Sequence, residues 1–157
     1  ERGIAYGLME DRPNAIQDFT RLLDQHESGY IFNLRAMQHY FSKKYGEAIH
    51  AHAEACRLDS DDESSCNCRA WILATCPVAE HRDGPRAVEM ARHACELTEW
   101  EDSGYIDTLA AAHAESGNFE EALNMIEKVL ELVDESQQGE YLQRQQLYRE
   151  GRAYHTE

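Results

Sequence analysis

Four alanines recur along this chain, Ala15, Ala48, Ala87 and Ala122, and each is followed by an aliphatic residue: Ile16, Ile49, Val88 and Leu123. Their separations are 33, 39 and 35 residues. A recurrence near 34 residues marks a unit of two helices that cannot bury its apolar face alone and stacks on its neighbours instead. Such arrays work through extended surfaces. The period therefore constrains both architecture and class of activity more than any local motif does.

Residue content agrees with stacked helices. The chain has 157 residues, 42% hydrophobic and 29% charged, with only three prolines and nine glycines. Ala, Leu, Glu, Gln and Arg are abundant, and all favour helix. Thirty acidic residues against fifteen basic ones leave a formal charge of −15. Nucleic acid is not expected as a partner, because phosphate binding needs a basic stripe. A basic or neutral protein surface is the expected complement, although simple solubility explains the charge equally well. No apolar run reaches the roughly 18 residues of a membrane span, and no signal peptide is visible. A cytoplasmic location is expected. The chain begins at Glu1 inside a helical pattern, which reads as a piece of a longer protein.

The pattern divides the chain into a single domain, 1–157, of four units and a closing helix. The first unit, 1–28, is cut short: Ile4, Tyr6 and Leu8 end one helix, and Pro13 opens the next, expected to run to about His26. Exposed, Ile4, Tyr6 and Leu8 would drive self-association. The second unit, 29–62, has helices carrying Ala36 and Ala48 with a Ser42-Lys43-Lys44 turn. The third, 63–102, departs from the period. Ala70 lies 17 residues before Ala87, where the equivalent spacing elsewhere is 12, so five residues are inserted around Cys76–Pro85. Such a lengthening costs about 0.6 kcal/mol or less in closure entropy. Asp83 and Gly84 are expected to shape that turn and start the next helix. The fourth unit, 103–136, contains Ser116-Gly117-Asn118, a glycine stop, and Asn118 with Glu121 resembles a capping box. A helix over about 137–149 is expected to cap the last apolar face.

These residues resemble the tetratricopeptide repeat family. Gly3-x-x-Tyr6 with Ala15-x-x-x-Phe19, Ala36-x-x-His39 with Tyr45-x-x-Ala48, and Leu109-Ala110-x-x-His113 with Gly117-x-Phe119-x-x-Ala122 follow its order of small residue, aromatic, glycine, aromatic and alanine. Leu73-Ala74-Thr75-Cys76-Pro77, Arg82-Asp83-Gly84, Ala94-Cys95-Glu96-Leu97-Thr98, Asp107-Thr108-Leu109-Ala110 and Leu147-Tyr148-Arg149-x-Gly151-Arg152-x-Tyr154 look like a bacterial subgroup, in which such arrays are often joined to other domains, protein kinases included. The helix-ending proline of the family is replaced here by Glu27, Ser60 and Asp134. The resemblance implies an all-α, right-handed α-solenoid of antiparallel helix pairs with a C-terminal capping helix.

It also implies a protein-interaction scaffold that takes a peptide or partner protein in a concave groove lined by the first helix of each unit. Transferred residue by residue, the groove positions are Ile4 and Leu8, then Tyr30, Asn33, Met37, Tyr40 and Phe41, then Asn67 and Trp71, then Asp107. Asn33 and Asn67 hold matched places, and amides there can donate to and accept from a peptide backbone. Both read equally as solvated helix residues, and Trp71 and Met37 as packing between units. Some members of the family clamp a terminal carboxylate with matched Lys and Arg. Here those places hold Asn33, Leu34, Asn67, Cys68 and Asp107, so no such clamp is expected.

The competing class is a zinc-binding helical domain using His50, His52, Cys56, Cys66 and Cys68. The two-residue spacing of His50/His52 and Cys66/Cys68 argues against it, since such residues diverge by about 200° on a helix and zinc sites favour C-x-x-C. No metal or other cofactor is expected. The five cysteines are expected to be reduced and mostly buried. No phosphate loop, nucleophile elbow or HExxH is present. His81-Arg82-Asp83 superficially looks like a kinase catalytic loop, but Gly84-Pro85 follows, and no enzyme activity is expected.

Overall fold

The structure, a computed structural model, describes residues 11–157. The sequence reading of Ile4, Tyr6 and Leu8, as helix, groove or self-association surface, lies outside the described residues. Each repeat alanine, Ala15, Ala48, Ala87 and Ala122, lies on a helix and is fully buried. A methyl group is the largest side chain that lets two helix backbones approach closely, so the period marks the packing seams. The described residues form helices and turns without a strand. They belong to two compact units, the first ending at Ser65 and the second running Cys66–Glu157.

In the first unit, α1 (Arg12–Leu23), α2 (Gly29–Phe41) and α3 (Tyr45–Leu58) follow one another through short turns. Pro13 sits in the first turn of α1, where its missing N–H removes no helix bond. That helix stops at Leu23, three residues before the expected end. The Ser28 hydroxyl accepts from the Ile31 N–H at 3.4 Å and starts α2. At its other end the Lys44 and Lys43 N–H groups donate back to the carbonyls of His39 and Tyr40, at 2.9 and 2.8 Å. This reversal puts Lys43 at φ 58°, a left-handed conformation usually left to glycine. Ala36 on α2 and Tyr45, Ala51, His52 and Ala55 on α3 are buried.

The second unit takes most of α4 (Glu63–Thr75), then α5 (Gly84–Leu97), α6 (Ser103–Glu115), α7 (Phe119–Leu132) and α8 (Gly139–Arg149). Its core joins Ala70, Ala91, Cys95, Ile106, Leu109, Ala110, Ala114, Ala122, Ile126, Val129 and Tyr148. Ala110 and Ala114 of α6 share this cluster with Ile126 and Val129 of α7, a mix of small and branched residues suited to close packing. Burial pushes the Cys95 thiol up to about 12, with Asp102 adding to the shift, so it stays protonated. Of the five cysteines, Cys66, Cys76 and Cys95 are buried, while Cys56 and Cys68 are half-buried.

The inserted turn of this unit is tightly fixed. The Asp83 N–H donates to Leu73 O at 2.9 Å, and Arg82 spans from Cys76 O at 2.8 Å to Glu115 Oε1 at 2.9 Å. Asp83 accepts from the Arg86 N–H and caps α5. Gly84 then lies so close to the end of α6 that a Cβ there would stand 2.6 Å from Ser116 Oγ and 2.8 Å from Ser116 N. The sequence suggested a capping box at Asn118 and Glu121, but Asn118 makes no side-chain cap bond. The reciprocal box forms instead at Asp134 and Gln137, before α8.

Candidate interaction surface

Successive residues on a helix turn by about 100°, so residues seven and eleven apart return to the same face. Tyr30, Met37 and Phe41 have that spacing on α2. All three are exposed, Tyr30 at 63% and Phe41 at 53%. An exposed aromatic stripe of this kind is unusual on a helix that buries its opposite side. The Arg12 guanidinium lies 5.7 Å from the Phe41 ring centroid. Tyr40 differs from the other three: its ring meets Phe41 and Tyr45 edge-on at 5.6 and 5.9 Å. It therefore buttresses Phe41 and is itself half-buried.

Beside Tyr30 opens a hollow of about 720 Å³, lined by Asn33 and by the carboxylates of Glu27, Asp59, Asp61, Asp62 and Glu63. Several of these groups also shape the backbone. Asp59 accepts from the Asp61 N–H, and Asp62 accepts from the N–H and hydroxyl of Ser65. Glu27 lies 3.6 Å from Arg57, which also pairs with Glu54. The negative charge thus exceeds what Arg57 offsets. The amide oxygen of Asn33 is shielded from solvent and meets no donor among the described residues. The Asn67 oxygen, in the second unit, is in the same condition. Such acceptors keep an unmet cost until a donor reaches them.

In the second unit the remaining groove positions are covered by the chain itself. Asp107, on α6, is 7% exposed and accepts from Arg144 Nε of α8 at 2.9 Å. Burial pushes the Asp107 carboxyl up to about 6, while the Arg144 charge and hydrogen bond pull it down. The guanidinium carbon of Arg144 lies 5.8, 5.1 and 5.3 Å from the ring centroids of Trp71, Tyr141 and Tyr154. Trp71 and Tyr154 are themselves 6.0 Å apart, centroid to centroid. Past Gly151, at φ 68°, the backbone leaves the helix and runs as an irregular segment. The Thr156 N–H and hydroxyl both reach Thr75 O, at 2.8 and 3.1 Å. His155 Nε2 lies 2.7 Å from Glu115 Oε2.

Trp71 and Asp107 were expected to line a groove; the structure sets Arg144 and Tyr154 of the same chain against them, neighbours that the sequence reading did not assign. Arg144 has no counterpart in the repeat, so periodicity carries no signal for it. The terminal run through Tyr154 was visible as a pattern, but its destination was not. The zinc alternative is corrected here: among the described residues no three His, Cys, Asp or Glu side chains stand where they could hold one ion. No helix among them is long and apolar enough to cross a membrane.

The helix pairs, their alanine seams and the capping helix define a tetratricopeptide-repeat fold. Solved structures agree. YrrB, described as a TPR protein with an unusual peptide-binding site, matches with a TM-score of 0.79 at 18% identity, over 92% of this chain and 71% of that one. MamA matches at 0.72 and 16% identity, over 83% and 73%. The first TPR of Spaghetti (RPAP3), bound to the HSP90 peptide SRMEEVD, matches at 0.67 and 19% identity, over 78% and 91%. No protein-family model matches the chain, and no curated protein matches it in sequence.

Proposed function

We propose that this protein is a non-catalytic interaction scaffold, and that the first unit receives an extended, basic segment of a partner protein on the exposed face of α2. The observation that carries the reading is the junction of two surfaces. An apolar stripe of Tyr30, Met37 and Phe41 adjoins a hollow with five carboxylates. Aromatic and Met side chains accept apolar groups at low conformational cost. The carboxylates favour Lys or Arg in the partner and speed encounter. Asn33 supplies an amide beside them, whose orphaned oxygen a partner's backbone N–H would satisfy after a side-chain rotation. In this reading Tyr40 orients Phe41, and the expected groove positions Asn67, Trp71 and Asp107, which lie in the second unit, take no part in the first unit's site. Solved TPR structures described as peptide-binding support the class of activity.

The test is selection of random peptides on the immobilised protein, counter-screened against a Tyr30→Ala/Phe41→Ala variant. Selected sequences should carry Lys or Arg next to an apolar residue and should bind the variant at least tenfold more weakly. Peptides that are acidic, or that bind both proteins alike, would overturn the reading.

A further inference from the structure

The segment after α8 behaves toward the second unit as a ligand behaves toward a receptor. The receptor side is prebuilt. Trp71 stands on α4, and Glu115 is held by Arg82 at 2.9 Å. Arg144 is held by Asp107. Thr75 O is one of the carbonyls that a helix end leaves without an intrahelical donor. The occupant is an irregular segment. Residues 152–157 form no helix; Ala153 and Tyr154 pack against the core of the unit, and three consecutive side chains make the ring and polar contacts: the Tyr154 ring on Trp71 and Arg144, the His155 imidazole on Glu115, and Thr156 on the Thr75 carbonyl. The His155 side chain remains 36% exposed.

We propose that this face of the second unit is a binding site for an extended segment bearing an aromatic residue, a basic residue and a hydroxyl residue in succession, and that Tyr154, His155 and Thr156 occupy it in cis. The site selects for each member of the triplet by a different force. The aromatic ring packs at a tilt against the indole and beside the guanidinium. The basic group meets Glu115. The third residue is read through its N–H and hydroxyl at one carbonyl oxygen, which leaves the rest of its side chain free. Tethering gives the resident segment an effective concentration on the order of millimolar. A free segment with the same triplet and a few further contacts therefore exchanges with it. The site rests on the reading of the chain as an interaction scaffold, but it uses none of the residues proposed for the first unit.

The experiment titrates a fluorescein-labelled peptide of residues 151–157 into the intact chain and into Tyr154→Ser, following anisotropy. Circular dichroism checks that helix content is kept. Thr156→Pro, which removes both the N–H and the hydroxyl donated to Thr75 O, serves as a second vacated form should Tyr154→Ser unfold. The peptide should bind a vacated form at least tenfold more tightly than the intact chain. Adding Trp71→Ala to that form should weaken binding at least tenfold, as should replacing the peptide's tyrosine by serine. Binding that is equal in intact and vacated chains, or absent from both vacated forms at millimolar peptide, would overturn the proposal. Peptide selection on the α2 face keeps Tyr154 in place, so failure of either test leaves the other readable.

Discussion

Arg144 and Asp107 stand 37 residues apart in sequence and 2.9 Å apart in space, each with a side chain only 7% exposed. Removing one partner of a buried pair leaves the other charged and dehydrated, a loss of about 3–5 kcal/mol. Arg144→Ala should therefore lower the urea midpoint by far more than an exposed Arg→Ala such as Arg152→Ala. Replacing both partners, as Asp107→Leu/Arg144→Met, should recover most of that loss. An Arg144→Ala cost below 1 kcal/mol would mean that the pair is solvated in solution.

The same carboxyl sets a pH dependence. Its folded-state pKa of about 6 lies above the ordinary Asp value of 3.8. The folded protein therefore holds this proton at pH values where the unfolded chain has released it. The contribution of Asp107 to stability is fully present below pH 3.8 and is lost as the pH rises through 6. Relative to Asp107→Asn, the wild type should become less stable between pH 4 and pH 7. Melting temperatures of the two proteins across that range test the sign. A carbon-13 titration of the Asp107 carboxyl should give a midpoint near 6, and a midpoint near 4 would contradict the burial argument.

Gly84 touches the backbone of the α6 end, not merely a movable side chain. A Cβ would lie 2.8 Å from Ser116 N and 2.9 Å from Glu115 C. Gly84→Ala should therefore destabilise by about 1–3 kcal/mol, in the range of other overpacking changes. Gly→Ala in a helix is otherwise favourable by roughly 0.5–1 kcal/mol, so even the sign separates the two explanations. Ser116→Gly should not rescue the variant, because the clashing nitrogen remains. Full rescue, measured by urea denaturation, would place the clash on the hydroxyl alone.

Lys43 occupies the left-handed turn that Gly117 and Gly151 occupy after α6 and α8. A residue with a Cβ pays roughly 1–2 kcal/mol there, partly offset by the greater unfolded-state freedom of glycine. Lys43→Gly should raise stability by about 0.5–1 kcal/mol. A lowered urea midpoint would show that the lysine side chain makes a compensating contact in solution.

Much of the architecture was legible because helix pairing is a local, periodic constraint. Ala15, Ala48, Ala87 and Ala122 recur where two backbones must approach, and a larger residue at any of them would hold the helices apart. Turn chemistry was legible too, at Pro13, Asp83 and Gly117, where a fixed φ, a side-chain acceptor or a missing Cβ is needed within one or two residues. Capping was less legible. Asn118 and Asp134 offer similar side chains, and whether each reaches the third N–H depends on the entry angle of the chain, which packing sets.

The repeat spacing by itself determined that this chain stacks helix pairs, since a small-residue seam recurring near every 34 residues must be buried against a neighbouring helix; the residues around each alanine added the resemblance to the tetratricopeptide type. That resemblance also set Tyr30, Asn33, Met37, Tyr40 and Phe41 of α2 among the expected groove positions. Only the tertiary structure decided what happens to the matching positions in the second unit. Trp71 and Asp107 carry no local sign that Arg144 and Tyr154 will cover them. Those contacts join residues 37 and 83 positions apart, and their energy appears only after α8 has docked and the backbone has turned at Gly151. Distance along the chain hides such contacts from a sequence pattern, because desolvation and ring stacking act through space.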